Sequence, residues 1–199
     1  MSDSPDPEIR RIVQKVLRQA MGLSEAGAPA TTSAPQPETL LPNETQNQQR
    51  NVVALGADHG GFELKKILKA DLPGLGFDVI DVGTQSNDRV DYPDLAHEVA
   101  NLVSAGKAWR GIIVDGAGIG SCVVANKIPG VRAGLAYDYS SAVNGREHND
   151  TNVLTLGAGL IGVNLARLIV RTWLATAFGG GRHAPRVDKI TAIEKLYLK

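Results

Sequence analysis

The sequence predicts an α/β domain built on a parallel five-stranded sheet with helices on both faces. Two observations predict it. From residue 51 onward, apolar runs of strand length alternate with stretches of helical length. That alternation requires crossovers and so a parallel sheet covered on both sides. Composition also changes sharply near residue 50, where a segment poor in large apolar residues gives way to one with core-forming density. Overall, 43% of the 199 residues are hydrophobic and 21% charged, ordinary proportions for one soluble domain.

In chain order, residues 1–25 come first. Ile9, Ile12, Val13, Val16, Leu17, Ala20 and Met21 recur at helical spacing on one face, and Arg10, Arg11, Lys15 and Arg18 fall elsewhere. Ser4 or Asp6 caps the start, Pro7 suits the first turn, and Gly22 ends the helix. An isolated helix this short is marginal in water, so its apolar stripe calls for a partner. Residues 26–50, rich in Pro, Thr, Ala, Gln and Asn, read as a flexible linker. The domain, 51–199, has strands expected at Val52–Gly56, Phe77–Val82, Gly111–Val114, Val131–Ala136 and Asn152–Leu156. Helices are expected at Phe62–Leu72, Tyr92–Ala105, Ile119–Asn126, Tyr139–Glu147, Gly162–Ala177 and Pro185–Leu198. Ligands of such sheets bind outside the carboxyl ends of the strands.

Bulk properties exclude several function classes. With 21 basic and 21 acidic residues the formal charge is zero, which argues against a nucleic-acid partner. The only cysteine, Cys122, cannot form an internal disulfide, which fits a reducing cytosol. The N-terminus carries no secretory signal pattern, and the longest apolar runs fall well short of a membrane span. A cytoplasmic location without membrane contact is the expectation.

Four polar constellations carry chemistry. In G-A-D-H-G-G-F, Gly56 to Phe62, a carboxylate and an imidazole leave the first strand together. Such a pair transfers protons or grips a hydroxyl or phosphate, although taken alone Asp58 reads as a helix cap. In D-G-A-G-I-G-S, Asp115 to Ser121, the glycines free backbone N–H groups to form an anion-binding nest. Gly116, Gly118 and Gly120 alternate, and the loop follows the third strand, which argues against a dinucleotide site. In R-E-H-N-D-T-N, Arg146 to Asn152, His148 is flanked by groups able to fix its tautomer. In G-G-G-R-H-A-P-R, Gly179 to Arg186, Arg182, His183 and Arg186 surround a helix start and suit a phosphate dianion, against the default of solvated charge. His59, His97, His148 and His183 are scattered, so no metal set is expected, and no cofactor.

These motifs in this order, with D-Y-P (Asp91 to Pro93), G-I-G-S-C-V-V-A-N-K (Gly118 to Lys127) and the final I-T-A-I-E, resemble the ribose-5-phosphate isomerase B family, which includes galactose-6-phosphate isomerase subunits. The resemblance runs from about Val52 to Glu194. It implies a three-layer Rossmann-like α/β fold and a homodimer or homotetramer with sites shared between subunits. It also implies an aldose–ketose isomerase passing through a cis-enediolate without metal or nucleotide. By the same resemblance Asp58 and His148 open the sugar ring, and His59, Arg182 and Arg186 hold phosphate with His183 nearby. Tyr92 and Asn149 line the pocket, and the amides of Gly116, Gly118, Gly120 and Ser121 stabilise the enediolate. The expected substrate is ribose 5-phosphate. The alternatives are a hexose 6-phosphate, a tetrose 4-phosphate, or a weakly catalytic sugar-phosphate-binding subunit.

The chain departs from the family pattern at three places. One branch uses Cys as the base where Asp115 stands, another uses Glu where Ser121 stands, and many relatives carry a phosphate-binding Arg at Gly159. Asp115 is the expected base. Cys122, whose helix-start position favours an acidic thiol, ranks below it. The N-terminal helix and linker resemble the encapsulation peptides of bacterial microcompartment cargo, which implies a shell-protein partner for residues 1–22 and a microcompartment lumen as the address.

Overall fold

The computed structural model describes residues 52–198. The amphipathic helix and linker expected over residues 1–50 lie outside the described residues.

The strands are β1 (Val52–Ala57), β2 (Asp78–Gly83), β3 (Arg110–Asp115), β4 (Ala133–Leu135) and β5 (Val153–Gly157). The helices are α1 (Phe62–Asp71), α2 (Tyr92–Ser104), α3 (Ile119–Ala125), α4 (Tyr139–Glu147), α5 (Val163–Ala175) and α6 (Ala184–Tyr197). All strand pairs are parallel, in the order β2-β1-β3-β5-β4. The fold class read from the sequence is the observed one. Two short 3-10 turns, Pro73–Leu75 and Gly181–His183, were not expected.

The sheet divides two apolar layers. On one face Leu64, Leu68 and Leu72 near α1, Ala142 of α4, and Ala166, Ile169, Val170 and Trp173 of α5 pack against Val53, Leu55, Ile112, Val114, Leu154 and Leu156. On the other face Ala96, Val99, Ala100 and Val103 of α2 and Ala125 of α3 cover Ala54, Ile113 and Val153. Strand residues thus alternate between two buried faces, as a doubly covered parallel sheet requires.

Only β4 is much shorter than the expected Val131–Ala136. It is an edge strand, and side chains intercept its backbone groups. Asn152 Oδ1 accepts from the Arg132 N–H at 2.8 Å, and Asn126 Oδ1 accepts from the Ala133 N–H at 2.9 Å.

The order of strands places the site. From β1 the chain turns onto one face through α1, and from β3 it turns onto the other through α3. The loops 58–61 and 116–118 therefore diverge at the carboxyl ends of two adjacent strands, the topological switch point of such sheets.

Candidate active site

At this switch point the first two constellations meet. The Asp58 N–H donates to the Val114 carbonyl at 3.2 Å, tying the end of β1 to the end of β3. Asp58 is buried, and its Oδ1 accepts from the Gly61 N–H at 2.9 Å in the turn before α1, whose N-cap is Gly61 and which has no side-chain cap. His59 Nδ1 lies 3.3 Å from the Val90 carbonyl. Tyr92 opens α2, and its ring lies against the Gly120 backbone. A Cβ at Gly120 would stand 2.5 Å from that ring, so only glycine admits this contact.

Asp115 ends β3 and is 5% exposed. Its Oδ1 accepts from the N–H groups of Ala117, at 2.8 Å, and Gly118. Its Oδ2 accepts from the Ser121 N–H at 3.1 Å and from the Ser121 hydroxyl. A carboxylate offers about four lone-pair positions, and here each meets a donor from the same loop. Gly118 turns that loop at φ +77°, where its missing Cβ would otherwise meet the Leu156 carbonyl carbon at 2.8 Å. The nest expected to receive a substrate oxygen is thus filled by the chain's own carboxylate. The Ile119 and Gly120 N–H groups find no acceptor among the described residues.

Cys122 corrects an expectation. Burial pushes its thiol up, the negative Asp115 adds to this, and hydrogen bonds from Asn126 and its surroundings only partly oppose it. Its Sγ lies 3.6 Å from the Ala133 carbonyl. The helix-start position does not make it acidic.

Tyr137 lies outside the four constellations. Its hydroxyl donates to the Ala117 carbonyl at 3.3 Å, so Tyr92 and Tyr137 bracket the loop from two sides. Gly159 also adjoins it, its N–H donating to the Gly116 carbonyl at 3.0 Å.

The other two constellations form a second group elsewhere. α4 leaves the carboxyl end of β4 and runs back, so its own end lies at the amino edge of the sheet. There the His148 and His183 rings stack at 4.1 Å with 7° between planes. Asn144 Nδ2 lies 2.8 Å from His148 Nδ1. Asn149 donates to the Asn144 carbonyl and side chain at 3.1 and 3.0 Å. Arg182 Nε donates to His183 Nε2 at 3.3 Å, and Arg186 donates to the Arg182 carbonyl at 3.2 Å. The His183 imidazole is held below its ordinary value by partial desolvation and then by its neighbours His148, Arg182 and Arg186.

Asp150 supports this group from a backbone φ of +46°, with ion pairs of 2.8 Å to Arg132 and Arg146. The expectation of one binding edge needs correction. Asp58, His59, Tyr92, Asp115 and the Gly116–Ser121 loop gather at one edge. His148, Asn149, Arg182, His183 and Arg186 gather at the other.

The sequence pattern described as ribose/galactose isomerase matches residues 53–190. The chain belongs to the ribose/galactose isomerase family. It is 46% identical over 143 residues to ribose-5-phosphate isomerase B of Escherichia coli K12, covering 72% of this chain and 96% of that protein. It is 40% identical over 139 residues to D-erythrulose-4-phosphate isomerase of Pectobacterium atrosepticum, covering 69% and 91%. Among solved structures, ribose-5-phosphate isomerase B of Clostridium thermocellum superposes with a TM-score of 0.73 at 47% identity, covering 74% of this chain and 99% of that one. The activity class of this family member is sugar-phosphate isomerisation. Among the described residues no helix is long and apolar enough to cross a membrane, and no group of His, Cys, Asp and Glu is arranged to hold a metal.

Proposed function

We propose that the chain interconverts ribose 5-phosphate and ribulose 5-phosphate at sites built from two copies of itself. The observation that carries this reading is the division of the site residues between opposite edges of the sheet. Of the residues named above, those around Asp115 supply carboxylates, and those around His148 supply two guanidiniums and two imidazoles. A phosphosugar needs both, one at its reacting carbons and one at its phosphate. A second copy bringing its amino edge to the carboxyl edge of the first completes the site.

In this reading Asp58 and the second copy's His148 move the proton that opens the ring. His59 and the second copy's Arg182 and Arg186 hold the phosphate with His183 beside them, and Tyr92 and Asn149 line the cleft. Asp115 takes the proton from C2 of the open aldose. The C2–H pair becomes the C1=C2 bond, and the carbonyl pair moves to O1 to give the cis-enediolate. A proton passes from O2 to O1, Asp115 returns its proton to C1, and O2 becomes the ketose carbonyl. The free Ile119 and Gly120 N–H groups, among the Gly116–Ser121 amides, are the donors left for the enediolate oxygen.

The test is turnover of ribose 5-phosphate by the purified protein, beside a tetrose 4-phosphate and hexose 6-phosphates. A higher kcat/KM on another sugar would move the assignment to that sugar. Binding without turnover would make the chain a sugar-phosphate-binding subunit. A tetrose 4-phosphate is the second reading, favoured by the similarity to the erythrulose-4-phosphate enzyme.

We also propose that residues 1–22 address the enzyme to a microcompartment shell protein, a reading supported by the apolar stripe and the long polar linker in the sequence. Fusion of residues 1–22 to a fluorescent protein tests it. Diffuse fluorescence in shell-producing cells would end it.

A further inference from the structure

The filled nest poses a chemical problem. A carboxylate whose lone-pair positions are all occupied cannot accept a proton from carbon. One of its four donors must leave during turnover. Three are backbone N–H groups, and the loop that carries them is held by bonds to its neighbours. The Ala158 and Gly159 N–H groups bond to the Asp115 and Gly116 carbonyls at 2.8 and 3.0 Å. The Tyr137 hydroxyl bonds to the Ala117 carbonyl, and a Cβ at Gly157 would meet the Ala117 carbonyl oxygen at 2.6 Å. The fourth donor, the Ser121 hydroxyl, hangs on a single rotatable bond.

We infer that the Ser121 hydroxyl gates Asp115, donating to Oδ2 at rest and turning away when substrate arrives, which frees Oδ2 as the proton-accepting atom. Ser121 is fully buried in the first turn of α3, so its hydroxyl has few places to go. The Ala117 carbonyl, four residues back and just outside the helix, is one alternative acceptor. A substrate hydroxyl at the mouth of the loop is the other. Ser121 acts through Asp115 in this scheme and is a positioning residue. The inference rests on the isomerase reading above, with Asp115 as base.

The scheme predicts the direction of a pH effect. The charged and titratable groups around Asp115 are Asp58 and His59 from the β1 loop, Tyr92 from α2, Cys122 from α3 and Tyr137 after β4. None of them changes in Ser121→Ala, which removes one donor from a carboxylate and nothing else. Loss of that donor destabilises the anion and raises its proton affinity, so the acid limb of the pH–kcat/KM profile moves to higher pH. For a hydrogen bond to a charged acceptor the move is about one pH unit.

The experiment compares pH–kcat/KM profiles of wild type, S121A and D115N on ribose 5-phosphate. Carbon-13 titration of the Asp115 carboxyl in wild type and S121A is read alongside, because it needs no turnover. Expected are an inactive D115N, an acid limb raised in S121A, and a carboxyl titration raised by the same amount. If D115N is inactive but neither the limb nor the carboxyl titration moves in S121A, the gate is overturned and the base assignment survives. If D115N turns over near the wild-type rate, the base assignment falls, and the gate with it.

Discussion

Lys65 is a buried charge that touches no expected substrate. It sits on α1 with its side chain 1% exposed, and its Nζ lies 2.5 Å from Asp81 Oδ1 and 2.7 Å from the Thr84 carbonyl. The Thr84 N–H in turn donates to the Ala57 carbonyl at 2.8 Å. This clip fixes the start of the segment that carries Val90 to His59 and ends on Tyr92. Lys65→Met keeps the aliphatic bulk and removes the cation. Breaking a buried pair costs roughly 3–5 kcal/mol. Asp81 keeps Lys69 at 2.8 Å and the Gly83 N–H at 3.0 Å, which puts the expected cost near the lower end, about 3 kcal/mol. That corresponds to a Tm lower by roughly 6–12 °C for a domain of this size. Lys69 is half exposed, so Lys69→Met should cost under about 1 kcal/mol. Urea unfolding followed by tryptophan fluorescence and circular dichroism reads both variants. Burial pushes the Asp81 carboxyl up, but hydrogen bonds from Lys65 and Lys69 outweigh it and hold the folded-state value below the ordinary 3.8. Its contribution is therefore full above that ordinary value and fades as pH falls through the lower, folded one. K65M should flatten this acid limb of stability. Equal losses in K65M and K69M, or a K65M variant within about 1 kcal/mol of wild type, would refute the reasoning.

Three further outcomes follow from the geometry. If each site joins two copies, D115N and H148A chains are each inactive alone but recover about a quarter of wild-type activity when mixed and reassembled, because half of the random dimers carry one intact site. No recovery in the mixture would put the whole site within one chain. Arg182→Ala should raise KM for ribose 5-phosphate about tenfold or more with a smaller change in kcat, since it removes a charge-assisted phosphate contact. A fall in kcat alone, in steady-state assays, would contradict a phosphate role. Gly120→Ala drives a methyl into the Tyr92 ring and should lower kcat/KM about tenfold or more by moving the pocket wall. Because Tyr92 is 39% exposed, thermal unfolding should barely change, and a large Tm loss would mean the contact is structural.

The legible parts of this domain are those whose physics is local. The strands of the sheet centre could be read because both faces are buried and their residues are continuously apolar. β4 is shorter than its apolar run because the Asn152 and Asn126 side chains take the Arg132 and Ala133 N–H groups at its amino end, contacts that hydropathy does not reveal. The site motifs were legible as clusters of unusual residue types, but not in their internal bonding. A glycine-rich loop after a strand announces a nest, yet nothing in its spelling says whether an outside anion or its own Asp115 fills it. Lys65 was hidden for a related reason. In F-E-L-K-K-I-L-K it looks like its exposed neighbours Lys66 and Lys69, although it falls three residues after Phe62 and three before Leu68, on the inward face.

The division of the site was legible in principle. In a parallel sheet every segment that follows a strand lies at the carboxyl edge, and every segment that precedes one lies at the amino edge. Asp58 and Asp115 follow β1 and β3, whereas His148 and Asn149 precede β5, and Arg182 follows the helix that returns from β5. In this fold those two sets lie at opposite edges of the sheet. Under the proposed shared site, a reaction that needs both sets recruits a second chain. On this argument oligomerisation is a condition of activity, so dilution below the dissociation constant should abolish turnover while each isolated copy keeps its fold. Full specific activity in a monomer, shown by sedimentation at the assay concentration, would overturn it.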